Sequence, residues 1–226
     1  MPTDTGELHR TSESGGLGSP EAGSTRINVR ADDGRIESIS EAEFQRRFGV
    51  IWATKLAFAE GCKILTTERG LEALRLQRYG EMVRLGYTAN LVIAKISDEV
   101  GHGLFAGEDI EPEGFLAEFT GLVRHNRNDD GENDYLFNCT VRQKWGLWDL
   151  FERFVHLTID GRDRGNYLRF MNHSARHANV RPVYVIIDGV KHLVLVATKF
   201  IPAGQQMFLN YGPAYWRHRH QPVEVE

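Results

Sequence analysis

Four short stretches hold the residue types that could do chemistry. Arg169-Phe170-Met171-Asn172-His173-Ser174 places a guanidinium, an amide and an imidazole side by side, and Asn210-Tyr211-Gly212 follows about forty residues later. Upstream lie Gly101-His102-Gly103 and Glu118-Phe119-Thr120-Gly121. An amide both donates and accepts, an imidazole does either according to its tautomer, and a guanidinium suits a carboxylate or an ordered polar network. Glycine lets a backbone approach a ligand where a side chain would intrude. Singly each stretch is weak: Gly-x-Gly is usually a turn, and a tyrosine at a strand end usually packs. Their order and spacing together point to a ligand site and a channel built where distant parts of the chain meet.

The elements that must position these residues differ along the chain. Residues 1–38 are rich in Gly, Ser, Thr, Glu and Asp, and read as a disordered tail that cannot bury enough surface to order itself. Residues 39–88 read as a helical extension. Ser40 with Glu43 is a capping box, and Phe44, Phe48, Ile51 or Trp52, Leu56 and Ala59 recur at helical spacing up to Gly61. A second helix is expected over about 67–85, with Leu71, Leu74, Met82 and Leu85 on one face and Gly86 as its end. These helices pack on the body or pair with a second copy as a homodimer, and packing within the chain is favoured.

From Asn90 the pattern changes to short strands and turns. Strands are expected at 91–96, 103–106, 115–119 and 121–123, a loop at 125–134 and a short helix over 147–155. Val183–Ile187 and His192–Ala197 read as a hairpin turning on Asp188-Gly189. The fold class is mainly β with α, several small sheets preceded by two helices.

Composition narrows the function classes. With 41% hydrophobic and 26% charged residues the chain reads as soluble and globular, and a net charge of -4 argues against bulk electrostatic binding of nucleic acid. No apolar run is long enough to cross a membrane, and no Sec-type leader is visible. Two cysteines in unlike contexts exclude a cysteine-only zinc cluster and fit a reducing, cytoplasmic setting. His218 and His220 have no third ligand nearby, so no metal is expected.

In order and spacing the four blocks resemble the SET domain of protein lysine methyltransferases, here over residues 89–216 with a tail at 217–226. The resemblance implies a SET fold with a knot-like C-terminal crossing, and S-adenosylmethionine as cofactor. It implies cofactor contacts from Gly101, His102, Gly103, Arg169, Asn172, His173 and Tyr211. Tyr211 is then the catalytic residue, and Tyr135 matches the position of a channel tyrosine beside it. Leu209 falls in the substrate channel where family members often carry Phe or Tyr; without a hydroxyl to hold a water, it implies tolerance of more than one methyl group.

The chain also departs from the family. Gln205-Gln206 stand where paired acids are common, and Ser174-Ala175-Arg176-His177-Ala178-Asn179 where many family members have a Cys and a Pro. With no cysteine-rich modules, the short segment Pro213-Ala214-Tyr215-Trp216 must complete the channel. Tyr215 and Trp216 stand there either as a wall against the adenine or as core packing. The chain therefore resembles stand-alone bacterial SET proteins that methylate a lysine of a protein substrate, a histone or histone-like protein among them. Such a protein acts in the cytoplasm or, exported, in a host nucleus. The alternative is a SET-fold module that binds peptide or cofactor with little turnover.

Overall fold

The computed structural model describes residues 26–66, 72–145 and 151–216. Order begins earlier than the tail expectation allowed. β1 (Ile27–Arg30) and β2 (Ile36–Ile39) form an antiparallel ribbon around Gly34, with Ile27 and Val29 alternating into the core. Only two inward positions anchor β1, too few for an alternation to stand out in a polar segment. Residues 1–25 of the expected tail lie outside the described residues.

Helix α1 (Glu41–Phe48) starts as its capping box implied, the Ser40 hydroxyl accepting from the Glu43 N–H at 3.2 Å. It ends at Gly49 and not at Gly61. Gly49 adopts the left-handed conformation (φ 67°), and its N–H bonds to the Gln45 carbonyl. The apolar residues beyond it serve two short strands, β3 (Ile51–Trp52) and β4 (Ala57–Phe58). Helix α2 (Glu72–Leu85) stops at Gly86 as expected, with residues 67–71 outside the described residues. Its buried face differs from the expected one. Tyr79 and Val83 are buried with Leu76 packed beside them, whereas Leu74 and Leu85 are 66% and 74% exposed. Both helices pack within the chain: α1 puts Phe44 against Trp52 and Phe170, and α2 covers Phe115, Val183 and Val185.

The body follows as β5 (Leu91–Ser97), β6 (Gly101–Ala106), β7 (Phe115–Glu118), β8 (Leu122–His125), β9 (Leu136–Asn138), β10 (Val141–Trp145), β11 (Phe151–Val155) and β12 (Leu157–Asp160). The expected helix at 147–155 is corrected: residues 151–155 are β11, paired antiparallel with β10 from Trp145↔Phe151 to Val141↔Val155. Residues 146–150 lie outside the described residues. Ribbon pairing along the whole described length overrides a mixed apolar pattern that fits either period. One sheet orders as β2-β1-β5-β6 and another as β4-β8-β12-β9.

The remaining elements are β13 (Arg164–Gly165), β14 (Asn172–His173), β15 (Val180–Ile187), β16 (Val190–Ala197), β17 (Phe208–Leu209) and the short α3 (Pro213–Trp216). β15 and β16 form the expected hairpin, longer than anticipated, on a turn whose Asp188 and Gly189 both have positive φ. The sheet order β14-β17-β15-β16-β7 contains the crossing. β17 lies parallel between two earlier strands, β14 and β15. The turn joining those strands closes around it: Ser174 N–H bonds to the Leu209 carbonyl and Asn179 N–H to the Phe208 carbonyl. The buried Asn179 side chain completes the clasp, accepting from Phe208 N–H at 2.8 Å and donating to the Gln206 carbonyl at 3.0 Å.

Candidate active site

The crossing divides the candidate residues into two groups joined through Asn172 and His173. On one side, β6 brings Gly101, His102 and Gly103 to Asn172, whose side-chain amide donates to the His102 carbonyl at 3.4 Å. Gly101 has φ 79°, opposite an irregularity in β5, and its glycine is required for that conformation. Gly103 leaves room for its neighbours' side-chain ends, which a Cβ would displace. A Cβ there would lie 2.6 Å from Ile96 Cδ1, 2.8 Å from Gln206 Nε2 and 3.2 Å from Asn172 Nδ2. The His102 ring faces Phe48 and Phe170 edge-on, and burial, helped by the Lys95 charge, holds its pKa below the ordinary histidine value.

Gln206 Nε2 is buried at this junction with no hydrogen-bond partner, an unmet donor packed against Gly103 two residues from the open Cβ direction of Gly101. A buried unsatisfied donor costs about 1–3 kcal/mol. An acceptor-bearing ligand seated against Gly101–Gly103 would remove that cost. Carboxylate, ribose and adenine acceptors all meet this description, so the residues present fit S-adenosylmethionine.

On the other side is a cavity of about 400 Å³, lined by Phe119, Tyr135, Met171, Leu209, Tyr211 and Tyr215 among others. Tyr211 is fixed at both ends. Its hydroxyl donates to the Met171 carbonyl, and its N–H donates to His173 Nδ1 at 3.0 Å. The second bond requires an unprotonated Nδ1, which sets the tautomer of the neutral ring. Burial above all, then the neighbouring Tyr215, Asp134 and Tyr135, pushes the Tyr211 hydroxyl pKa far above the ordinary tyrosine value. The group is a protonated hydroxyl throughout the working pH range.

The cavity is closed from the C-terminal end by α3. Tyr215 packs edge-on against Tyr211 with ring centres 4.7 Å apart, and its hydroxyl donates to Asp134 Oδ1 at 2.8 Å. Tyr215 thus lies on the channel side of the crossing. The Trp216 side chain lies outside the described residues. Arg169 also lines the cavity, whose wall does not include Gly101–Gly103. Its Nε and Nη2 donate to the Gly161 and Arg162 carbonyls, and its guanidinium sits 4.2 Å from the centre of the Tyr135 ring.

Three contributors were not singled out from sequence. Met171 acts through its carbonyl, which any residue would supply, so no side-chain signal exists for it. Asp134 clasps Tyr215 across 81 positions of chain. Gln206 was visible only as a departure from an acidic pattern.

A mainly β body with a late strand threaded between two earlier ones, carrying a half-buried tyrosine just beyond the crossing, defines the class. Residues 101–212 match the family described as SET domain, and this part of the chain is a SET domain, the fold of protein lysine methyltransferases. The histone-lysine N-methyltransferase EZH2 of Chaetomium thermophilum is 31% identical over 155 residues, 63% of this chain and 9% of the relative. Human histone-lysine N-methyltransferase EHMT1 is 30% identical over 141 residues, 60% of this chain and 10% of the relative. The matched part of the chain is therefore about a tenth of the length of these relatives. The solved structure of ATXR5 in complex with mono-methylated histone H3.1 covers 80% of this chain and 87% of that one, with TM-score 0.55 and 19% identity, a likeness of fold.

Proposed function

We propose that the chain is an S-adenosylmethionine-dependent protein lysine methyltransferase. The observation that carries this reading is the doubly fixed Tyr211, which stands at the wall of an aromatic cavity and is joined through His173 and Asn172 to the glycine-lined junction. Gly101–Gly103, Asn172, His173 and Gln206 would hold the cofactor. When bound, S-adenosylmethionine supplies a methyl group on a positively charged sulfonium.

The chain's own task is to present a neutral amine in line. Free lysine has a pKa near 10.4, so having it neutral at pH 7 costs about 4–5 kcal/mol. A cavity walled by Phe119, Tyr135, Tyr211 and Tyr215 disfavours the ammonium by desolvation. The Tyr211 oxygen, its proton committed to the Met171 carbonyl, keeps its lone pairs for an amine N–H and fixes the direction of the nucleophile. Most of the acceleration comes from holding two reactants in register, not from a strong base. The substrate is read as a protein lysine because the relatives are named histone-lysine methyltransferases and the solved neighbour holds histone H3.1. The site is drawn from one chain, so this reading does not require a homodimer.

The test is transfer of tritiated methyl from S-adenosylmethionine to a histone mixture and to a cell lysate, with product located by protein mass spectrometry. Label on lysine that Tyr211→Phe abolishes supports the reading. Cofactor binding without transferred label would leave a binding module instead.

A further inference from the structure

Among the described channel aromatics Tyr135 is the most exposed: 36% of its surface is open, and it follows a polar loop. Its main chain is tied to Gly161, whose N–H donates to the Tyr135 carbonyl at 2.9 Å. The carbonyl of that same glycine accepts from Arg169 Nε at 3.2 Å. Gly161 is thus a peg shared by the tyrosine and the arginine, and the guanidinium Cζ sits over the Tyr135 ring, 4.2 Å from its centre.

The same bonds limit what else Arg169 can do. Its Nε–Nη2 edge, the one that would fork a carboxylate side-on, is occupied by the Gly161 and Arg162 carbonyls. Among the described residues no carboxylate lies in ion-pair contact with it. A cation held along one edge by carbonyls and set over an aromatic ring is arranged for cation–π contact.

We propose that Arg169 is a positioning residue: it holds the Tyr135 ring as a fixed wall of the methyl-transfer cavity and does not act as a ligand of the cofactor's carboxylate. The role rests on the methyltransferase reading above. Arg169 acts through Tyr135, which narrows the opening opposite Tyr211 and keeps the amine aligned.

The test uses the full chain in four forms: wild type, Arg169→Met, Tyr135→Leu and the double variant, with Arg169→Lys as a milder change and thermal melting as the check on folding. Each single change is expected to lower kcat about 10-fold, and the double to be no worse than either, because coupled residues are non-additive. Affinity for S-adenosylhomocysteine, measured by calorimetry, stays within about twofold. A readout independent of turnover is ¹⁹F NMR of protein labelled with 3-fluorotyrosine. The Tyr135 line, assigned with Tyr135→Phe, is expected to shift and broaden in Arg169→Met while the Tyr211 line holds.

An unchanged Tyr135 line, multiplicative losses near 100-fold, or lost homocysteine-cofactor affinity in Arg169→Met alone would each overturn the proposal. If the ¹⁹F response appears but wild type labels no lysine, the positioning role stands and the methyltransferase reading fails.

Discussion

Replacing Tyr211 by Phe removes one oxygen from a position where two effects can be separated. The hydroxyl satisfies the carbonyl of the buried Met171. Leaving that carbonyl unmet costs about 1–3 kcal/mol. For a chain of this size each kcal/mol lowers Tm by about 2–4 °C, so the melting point is expected to fall by about 2–12 °C. The ring itself stays, with its edge-on contact to Tyr215 and its N–H bond to His173. Binding of S-adenosylhomocysteine should therefore remain within about threefold of wild type.

Turnover is expected to fall much further. A fixed polar group aimed at the reacting atoms contributes about 10²–10³-fold when removed singly. Single-turnover transfer of tritiated methyl to a substrate lysine, at saturating cofactor and several pH values, measures this directly. Because burial holds the hydroxyl protonated far above pH 10, the rise in rate with pH belongs to the substrate amine and appears in both proteins. A variant that keeps kcat within threefold of wild type would refute the catalytic role. One that loses cofactor affinity in step with kcat would make Tyr211 a packing residue.

The same burial has a consequence for stability. Tyr211 is shifted upward, and burial raises the Tyr167 hydroxyl to about 12, so the unfolded chain ionises these groups near pH 10 while the folded one does not. Stability present below pH 10 is expected to decline from pH 10 upward, with a shallower decline in Tyr211→Phe, measured by urea denaturation. Arg124→Met should cost about 3–5 kcal/mol, because its side chain, 5% exposed, pairs with both Asp130 and Asp160 and the change leaves two mostly buried carboxylates without their cation. Burial raises these carboxyls, but the guanidinium and neighbouring N–H donors outweigh it and hold both below the usual range. Their contribution is therefore present above about pH 4 and lost as pH falls below it, which an acid titration of Tm checks. Gly103→Ala should fold, since its Cβ meets the ends of flexible side chains, yet weaken homocysteine-cofactor binding about 10-fold or more by displacing the Gln206 and Asn172 amides, read by calorimetry. Leu209 offers no hydroxyl to hold a water, so exhaustive turnover should yield di- or trimethyllysine by mass spectrometry, and only monomethyl product would count against this reading.

What could be read from the sequence was local in origin. Ser40 caps α1, Gly86 ends α2 and Asp188-Gly189 turns the hairpin, because each choice is decided by the residue's own dihedrals or by a bond to a near neighbour. Errors arose where a competing local signal or a distant partner decided the outcome. Gly49 and Gly61 both take positive φ, and only the strand pairing of Ile51-Trp52 with Arg164-Gly165 selects the first as the helix stop. β1 depends on β5 and on Tyr167, whose hydroxyl accepts from Asn28 N–H at 2.6 Å across 139 positions. Nothing within residues 26–38 announces that partner.

The site shows the same division in sharper form. Side chains that act by their own chemistry, Tyr211 and Asn172, stood out by type and spacing. Arg169 stood out too, but its type suggested a carboxylate, while the structure gives it two main-chain carbonyls and the face of an aromatic ring. Those partners have no sequence signature of their own. Tyr135 and Asp134, adjacent in the chain, are each held by a different element: the ring by Arg169 just before β14, the carboxylate by Tyr215 in α3. Both holders flank the crossing made by β14 and β17. Closure of the channel is therefore tied to the threading of β17, and a change that loosens the crossing should widen the channel before it unfolds the sheet. The crossing that makes the fold hard to read from sequence is also what fixes the geometry of the cavity, with the clasp supplied by a tyrosine and an aspartate.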